Sequence, residues 1–488
     1  MILGTTTLGT KKNSYIIVVG VVVSFVARPG VLLSQDQESI IACCTPQGSG
    51  AIALLRLSGV DSFEIVTHIS KLPGNKKIYQ QKTHTIQYGW IVDTNGTTID
   101  QVLFFLMRGP KTFTGQDTIE ISCHNNPFII EAIIQEAIKN GARLAQNGEF
   151  TKRSVLNGKI DLVQAEAINE LIHAHTQQAL KQSLAQLEGS LSGWLHTIEN
   201  NLIKALALSE ASFEFIDEED LTFENQILQL LSDVLTHIKD IKKTFDQQQH
   251  IRNGIRIALI GAVNAGKSSL FNTLLSQERA IVTNIAGTTR DAIEAGIYRS
   301  GNYWTLVDTA GLRQTDDVVE ELGIKKSFEQ AHLADIILLV SDSLSQLYTE
   351  QKKIYTELLE KYRSKIICVN TKYDMQKYIN DKKEEHSITV SSKTGHNITL
   401  LEQKIEKKIM QLLKRSESSF LLNKRQFNIL LGLEKKLEKI TPMLKENIQY
   451  ELISYHLNDA ISHINQLTGK SISEKGMDAV FREFCVGK

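Results

Sequence analysis

The sequence predicts a multidomain chain of mixed α/β and α+β class. An N-terminal α+β domain is followed by a helical domain that an inserted parallel α/β module interrupts. Three observations carry this expectation. At 488 residues the chain exceeds what one hydrophobic core supports, so about three domains of roughly 100–200 residues each are expected. Apolar runs of strand length alternate with helical segments across residues 251–415, the pattern of a parallel sheet covered on both faces. Helical periodicity both precedes and follows that stretch, which places it inside a helical body.

Composition narrows the function classes. With 42% apolar and 22% charged residues and only 6 Pro, the chain is folded rather than disordered or fibrous. The 54 Lys and Arg nearly cancel the 55 Asp and Glu, leaving a net charge of −1. No global positive field advertises nucleic-acid binding, so any RNA contact is local or shared with a partner. Five cysteines, at 43, 44, 123, 368 and 485, form neither a secreted disulfide framework nor a Cys-x-x-Cys metal spacing. A reducing compartment fits them, and a cytoplasmic protein is expected.

Residues 1–35 stand apart. They contain no acid, carry Lys11, Lys12 and Arg28, and hold a Val/Ile-rich run from Tyr15 to Ala27. The run is short for a bilayer core, which needs roughly 20 apolar residues. It has the layout of a signal-peptide core or, less well, a transit peptide, which would make the protein organellar. Translation beginning further on is the other reading, and membrane anchoring a third; no stable membrane association is expected. The segment is set aside from the fold.

Residues 36–157 read as the α+β domain, with apolar runs at 51–57 and 102–107 and a helical stretch at 127–140. Residues 158–250 form the first helical half. There Leu180, Leu184, Leu187, Leu191, Leu195, Ile198, Leu202 and Leu206 recur every three or four positions, predicting one long amphipathic helix. Strands are expected at 255–260, 304–307, 336–340, 366–369 and 388–390. Residues 416–488 return to helical spacing. Phe427, Leu430, Leu433 and Leu437 make one stripe, and Tyr455, Leu457, Ala460 and Ile464 a second.

The chemistry concentrates in the inserted module. Gly261-Ala262-Val263-Asn264-Ala265-Gly266-Lys267-Ser268 follows a strand and opens a helix. That is a phosphate-binding loop in its required strand–loop–helix setting. Its backbone N–H groups and the helix N-terminus face phosphates, Lys267 neutralises the β- and γ-phosphates, and Ser268 ligates Mg²⁺. Ser269 extends the same loop. Asp308-Thr309-Ala310-Gly311 ends the next predicted strand, where the carboxylate holds Mg²⁺ through water and the Gly311 N–H senses the γ-phosphate. Between them lie Thr283, Asn284, Ile285, Ala286, Gly287, Thr288 and Thr289, a switch loop in which Thr289 offers a second Mg²⁺ hydroxyl.

Base choice is expected from Thr371-Lys372-Tyr373-Asp374. A carboxylate accepts from the N1–H and N2–H₂ edge of guanine and repels the N1 lone pair of adenine. The motif usually begins with Asn; here Thr371 stands in that place, with Asn370 one position early. Ser391-Ser392-Lys393 would meet guanine O6. The sum is a guanine-nucleotide hydrolase. Its water-orienting position, often glutamine in small GTPases, is Leu312, and neither Arg290 nor Arg313 is an evident arginine finger. Something else must supply charge and position the water.

Beyond these loops the chain resembles the tRNA-modifying GTPases known as MnmE or TrmE over residues 39–488. The resemblance rests on Thr45-Pro46-Gln47-Gly48-Ser49-Gly50 through Arg56-Leu57-Ser58-Gly59, and on Gly109-Pro110 with Phe113-Thr114-Gly115-Gln116-Asp117. It rests also on Gly148-Glu149-Phe150-Thr151 through Leu156-Asn157-Gly158-Lys159, on Asp161-Leu162-Val163-Gln164-Ala165-Glu166-Ala167-Ile168, and on the terminal Phe484-Cys485-Val486-Gly487-Lys488. The resemblance implies a methylene- or formyl-tetrahydrofolate site in the N-terminal domain, touched by Arg56, Glu120, Lys159 and Lys488. It implies a homodimer, with K⁺ held by Asn264, Thr283, Ile285 and Thr288, and Glu320 orienting the water. It further implies a partner subunit carrying FAD and using NADH, joined in a heterotetramer that modifies C5 of the wobble uridine of certain tRNAs. Cys485 would act near the folate or the uridine. The chain departs from the family pattern at Val486, at Asn147, at Asn125-Asn126, where asparagine replaces glycine but can take the same left-handed backbone angles, and at Thr371. A regulatory or assembly GTPase sharing only the inserted module is the competing reading.

Overall fold

The computed structural model describes residues 38–46, 48–214, 223–276, 293–299, 301–309, 327–342, 349–375, 387–413, 418–444 and 450–487. The chain divides into two compact units: residues up to 112 with 116–145, and 113–115 with 146–488.

The first unit is a seven-stranded sheet with helices on one face. In chain order its elements are β1 (Ile40–Cys43), β2 (Ile52–Ser58), α1 (Ser62–His68), β3 (Ser70–Lys71), β4 (Thr85–Val92), β5 (Thr98–Met107), β6 (Thr118–His124), α2 (Pro127–Lys139) and β7 (Arg143–Leu144). The strand order is β3-β4-β5-β6-β2-β1-β7, antiparallel except for β1 with β7. Period-2 alternation points Ala53, Leu55, Leu57, Val102, Phe104, Leu106, Ile119 and Ile121 into a core shared with Phe63 and Val66 of α1 and Ile133 and Ala137 of α2. Asn126 starts α2 from extended backbone, its side chain accepting from Phe128 N, with Pro127 at the first helical position. Asparagine tolerates left-handed backbone angles, but neither Asn125 nor Asn126 adopts one here; Asn126 serves as a cap.

The second unit opens with α3 (Glu149–Leu156), α4 (Leu162–Ile172), α5 (Gln177–Leu187), α6 (Ser190–Glu214) and α7 (Glu224–Asn253). The single long helix expected from the leucine spacing is two helices. Gly189 breaks it with φ of 104°, a conformation that favours glycine. The buried face of α5 is also rotated. Leu180 and Leu184 are about half exposed, while Gln182 and Gln186 are buried and donate to Ser418 O and Leu421 O at 2.6 and 2.9 Å. Apolarity alone picked the wrong side because the amides bind backbone carbonyls there.

The inserted module follows as β8 (Ile255–Gly261), α8 (Lys267–Ser276), β9 (Ile293–Arg299), β10 (Asn302–Asp308), β11 (Ile336–Asp342), α9 (Thr349–Tyr362), β12 (Ile366–Thr371), β13 (Ser387–Thr389) and α10 (Ile398–Leu413). The sheet runs β13-β12-β11-β8-β10-β9. Its strands are parallel except the edge strand β9, which pairs antiparallel with β10 and was not expected from the apolar runs.

The chain returns as α11 (Lys424–Met443), α12 (Tyr450–Thr468) and α13 (Glu474–Phe481). Leu195, Ile198 and Leu202 of α6, Ile227, Leu231 and Val234 of α7, Leu430, Leu433 and Leu437 of α11, and Leu457, Ala460 and Ile464 of α12 form one buried cluster. Both halves of the helical domain therefore build a single core around an interruption by a P-loop α/β module.

Candidate nucleotide site

The phosphate loop leaves β8 at Gly261. A Cβ at this position would lie 2.1 Å from Val340 O of β11, so only glycine lets the two strands approach this closely. Asn264 and Gly266 take φ of 61° and 87°, which curls the loop. Ala262 N donates to the Tyr355 hydroxyl at 2.9 Å, and that hydroxyl donates to Val340 O at 2.6 Å. Tyr355 of α9 thus braces the loop, a role that nothing in its sequence setting indicates.

Lys267 begins α8, largely buried, with Nζ donating to Gly261 O and Ala262 O, each at 2.7 Å. Burial pushes its ammonium below the usual lysine range, and Asp308 partly offsets this. An anion in the loop would meet both this cation and the N-terminal dipole of α8. Asp308 closes β10 at 2% exposure, and Thr309 Oγ1 donates to Leu259 O at 2.8 Å. Ser268 and Ser269 are exposed at the start of α8. Hydroxyl and carboxylate oxygens of this kind suit Mg²⁺, a hard cation. Thr283, Asn284, Ile285, Ala286, Gly287, Thr288, Thr289, Ala310, Gly311, Glu320 and Lys488 lie outside the described residues.

The base loop follows β12. Lys372 adopts φ of 61° and its Nζ meets Asp342 Oδ2 at 2.6 Å. Asp374 Oδ1 accepts from Ser391 Oγ at 2.7 Å. That hydrogen bond, with Lys393 nearby, holds the carboxyl below its usual range, so Asp374 is an acceptor at neutral pH. Ser391 is fully buried, Tyr373 stacks on His396, and Ser392 O accepts from Thr273 Oγ1 of α8. Thr371 Oγ1 donates to Ala265 O at 2.6 Å, joining the base loop to the phosphate loop.

Family models match almost the whole described chain. The GTP-binding protein TrmE N-terminus matches residues 39–159, and the MnmE helical domain matches residues 162–485, spanning the inserted module. A tRNA modification GTPase MnmE from Thermotoga maritima is 36% identical over 460 residues, covering 92% of this chain and 100% of its own. The chain belongs to the MnmE family of tRNA modification GTPases. An MnmE from Fervidobacterium nodosum is likewise 36% identical, over 458 residues, covering 93% of this chain and 98% of its own. Among solved structures, the G domain of the T. maritima FeoB iron transporter matches 32% of this chain and 98% of its own at 27% identity, with a TM-score of 0.24.

Arg56, Glu120, Lys159 and Cys485, expected from the resemblance, all lie among the described residues. In the first unit Arg56 and Glu120 oppose each other on β2 and β6. Arg56 Nε donates to Glu120 Oε1 at 2.8 Å, and both side chains are mostly covered. In the second unit Lys159 follows Gly158, whose φ is 64°, just after α3. Cys485 is exposed, with Sγ 4.0 Å from His173 Nε2. The cysteines at 43, 44, 123 and 368 are likewise not joined in disulfides. Among the described residues no helix is long and apolar enough to cross a membrane, and no group of three or more His, Cys, Asp or Glu could hold a metal.

Proposed function

We propose that this chain is a K⁺-activated GTPase whose turnover drives conformational change in a tRNA-modifying complex. It works as a homodimer with a partner subunit that carries FAD and uses NADH. Together they act on C5 of the wobble uridine of certain tRNAs, with a one-carbon unit from methylene- or formyl-tetrahydrofolate. The observation that carries this reading is the seating of a phosphate loop and a guanine-type carboxylate loop, joined by Thr371 and Ala265, on a sheet inserted through one helical core.

The joint between sheet and helices supports transmission of nucleotide state. Thr176 Oγ1 donates to Ile251 O at 2.7 Å, Arg252 meets Glu170 at 3.1 Å, and His250 meets Asp335 at 3.1 Å. His175 stacks on Tyr303 of β10, the strand that ends in Asp308. These contacts give a displacement at Asp308 a packed route to α4 and α5.

Mg²⁺ would be held by Ser268 and Thr289, and K⁺ by Asn264, Thr283, Ile285 and Thr288. When bound, these cations supply positive charge at the β- and γ-phosphates, which the leucine at 312 cannot. Glu320 orients the attacking water, and Lys267 and the start of α8 hold the phosphates. Asn264, Ala265, Gly266, Thr371, Lys372, Asp374, Ser391, Ser392 and Lys393 complete the nucleotide site.

In the first unit Ile52, Ile86, Tyr88 and Leu103 are 40–64% exposed on the sheet face that also carries the Arg56–Glu120 pair. An apolar face with a central ion pair suits a second copy of the same face, and folate would use Arg56 for its glutamate carboxylate and Glu120 for its pterin donors. Lys159 and Lys488 are further folate contacts, and Cys485 serves that chemistry.

The test is phosphate release from GTP by the full chain in K⁺ and in Na⁺ at equal ionic strength. At least about tenfold faster turnover in K⁺ is expected, a small part of what a charge at the β–γ bridge supplies in related enzymes. Equal rates refute the cation's role. Glu320→Ala should slow turnover and leave nucleotide affinity unchanged.

A further inference from the structure

Thr371 occupies the place where this motif usually carries asparagine, and its surroundings reveal the consequence. The residue ends β12 at 2% exposure. Its hydroxyl lies 2.6 Å from Ala265 O and 3.2 Å from Ser341 O. A hydroxyl has one proton to donate, so these two carbonyls share it. An asparagine amide has two N–H groups and could hold the Ala265 carbonyl with one while offering the other to a base.

Guanine presents acceptors at N7 and O6, and donors on the N1 and N2 edge. Asp374 is an acceptor for the donor edge. Among the described residues, the sequence neighbours of Thr371 do not replace an amide donor at N7. Asn370 is turned into the sheet, its Oδ1 accepting from Ser341 Oγ at 2.6 Å and its Nδ2 donating to Ser387 Oγ at 3.2 Å. Lys372 Nζ is paired with Asp342 at 2.6 Å.

We infer that Thr371 sets the selectivity of the base pocket: it preserves the tether to the phosphate loop and leaves guanine N7 without a side-chain hydrogen bond. The pocket then reads guanine through its N1 and N2 edge and tolerates change at position 7. The inference rests on the guanine-nucleotide reading and deepens it, and the experiment keeps the two apart.

Full-length protein is titrated with a fluorescent GDP analogue, which is then displaced by GDP and by 7-deaza-GDP. The wild-type protein should bind the two competitors within about twofold. Thr371→Asn should tighten GDP by about fivefold, the worth of one neutral hydrogen bond, without changing 7-deaza-GDP. Discrimination of fivefold or more against 7-deaza-GDP by the wild-type protein overturns the inference, because N7 then has a donor. A folded Thr371→Asn that treats both competitors alike also overturns it. If wild-type protein binds no guanine nucleotide at all, the underlying reading falls and the inference with it.

Discussion

Arg425 grips Glu166 through two parallel hydrogen bonds, Nε to Oε1 at 2.7 Å and Nη2 to Oε2 at 2.6 Å, although 259 residues separate them in sequence. Gln426 adds a third bond to Oε2 at 2.6 Å, and its own side chain closes the capping box that starts α11. The first half of the helical domain is thereby locked to the second, directly across the insertion. The Glu166 side chain is only 8% exposed, so few other partners can replace this fork.

Arg425→Ala should therefore destabilise the helical domain by about 3–5 kcal/mol, the cost of leaving one member of a buried pair behind. Replacing both partners with leucine should recover most of that loss. Urea denaturation followed by circular dichroism measures both. A loss under about 1 kcal/mol in the single variant would mean that solvent already screens Glu166.

Glu170 gives a pH-dependent expectation. Burial pushes its carboxyl from 4.5 up to about 7, with Arg252 opposing, Glu166 adding and Asn423 opposing. The folded protein therefore binds a proton that the unfolded chain has released between those two values, so this group's contribution to stability falls as pH rises through that window. Glu170→Gln should stabilise the protein by about 3 kcal/mol at pH 8 and about 1 kcal/mol at pH 5.5, at roughly 1.4 kcal/mol per unit. Thermal midpoints at the two pH values decide it; a variant less stable than wild type at pH 8 would show that the carboxylate's pairing with Arg252 outweighs its burial.

Gly254 joins α7 to β8 with φ of 75°, and a Cβ there would lie 2.4 Å from Tyr303 O. Gly254→Ala should cost about 2 kcal/mol or more, combining left-handed strain with a backbone clash. Differential scanning calorimetry reads the loss, and an unchanged transition would contradict the close approach of helix and strand at this joint.

Much of the fold was legible because the decisive signals are local. The phosphate loop lies between an apolar strand and a helix start, and Leu430, Leu433 and Leu437 of α11 with Leu457, Ala460 and Ile464 of α12 face the core as their spacing requires, whereas Tyr455 of the expected second stripe is 67% exposed. The place of Asp374 just after β12 was legible from its motif. What escaped the sequence depends on distant partners. The edge strand β9 has no continuous apolar run because Glu294 and Gly296 interrupt it. The α5 register failed because Gln182 and Gln186 are buried on carbonyls from the far side of the insertion. The bracing hydroxyl of Tyr355, the Arg425–Glu166 fork and the tether from Thr371 to Ala265 join segments that no spacing rule connects.

The central claim is guanine-specific hydrolysis on this inserted sheet, and the measurement that tests it most directly is phosphate release from GTP and XTP by the wild-type chain and by Asp374→Asn. The amide matches the carbonyl edge of xanthine and loses two charge-assisted bonds to guanine. The variant should therefore lose about 100-fold on GTP and prefer XTP. A variant that still prefers GTP, or a wild-type chain that hydrolyses ATP as readily, would contradict the account.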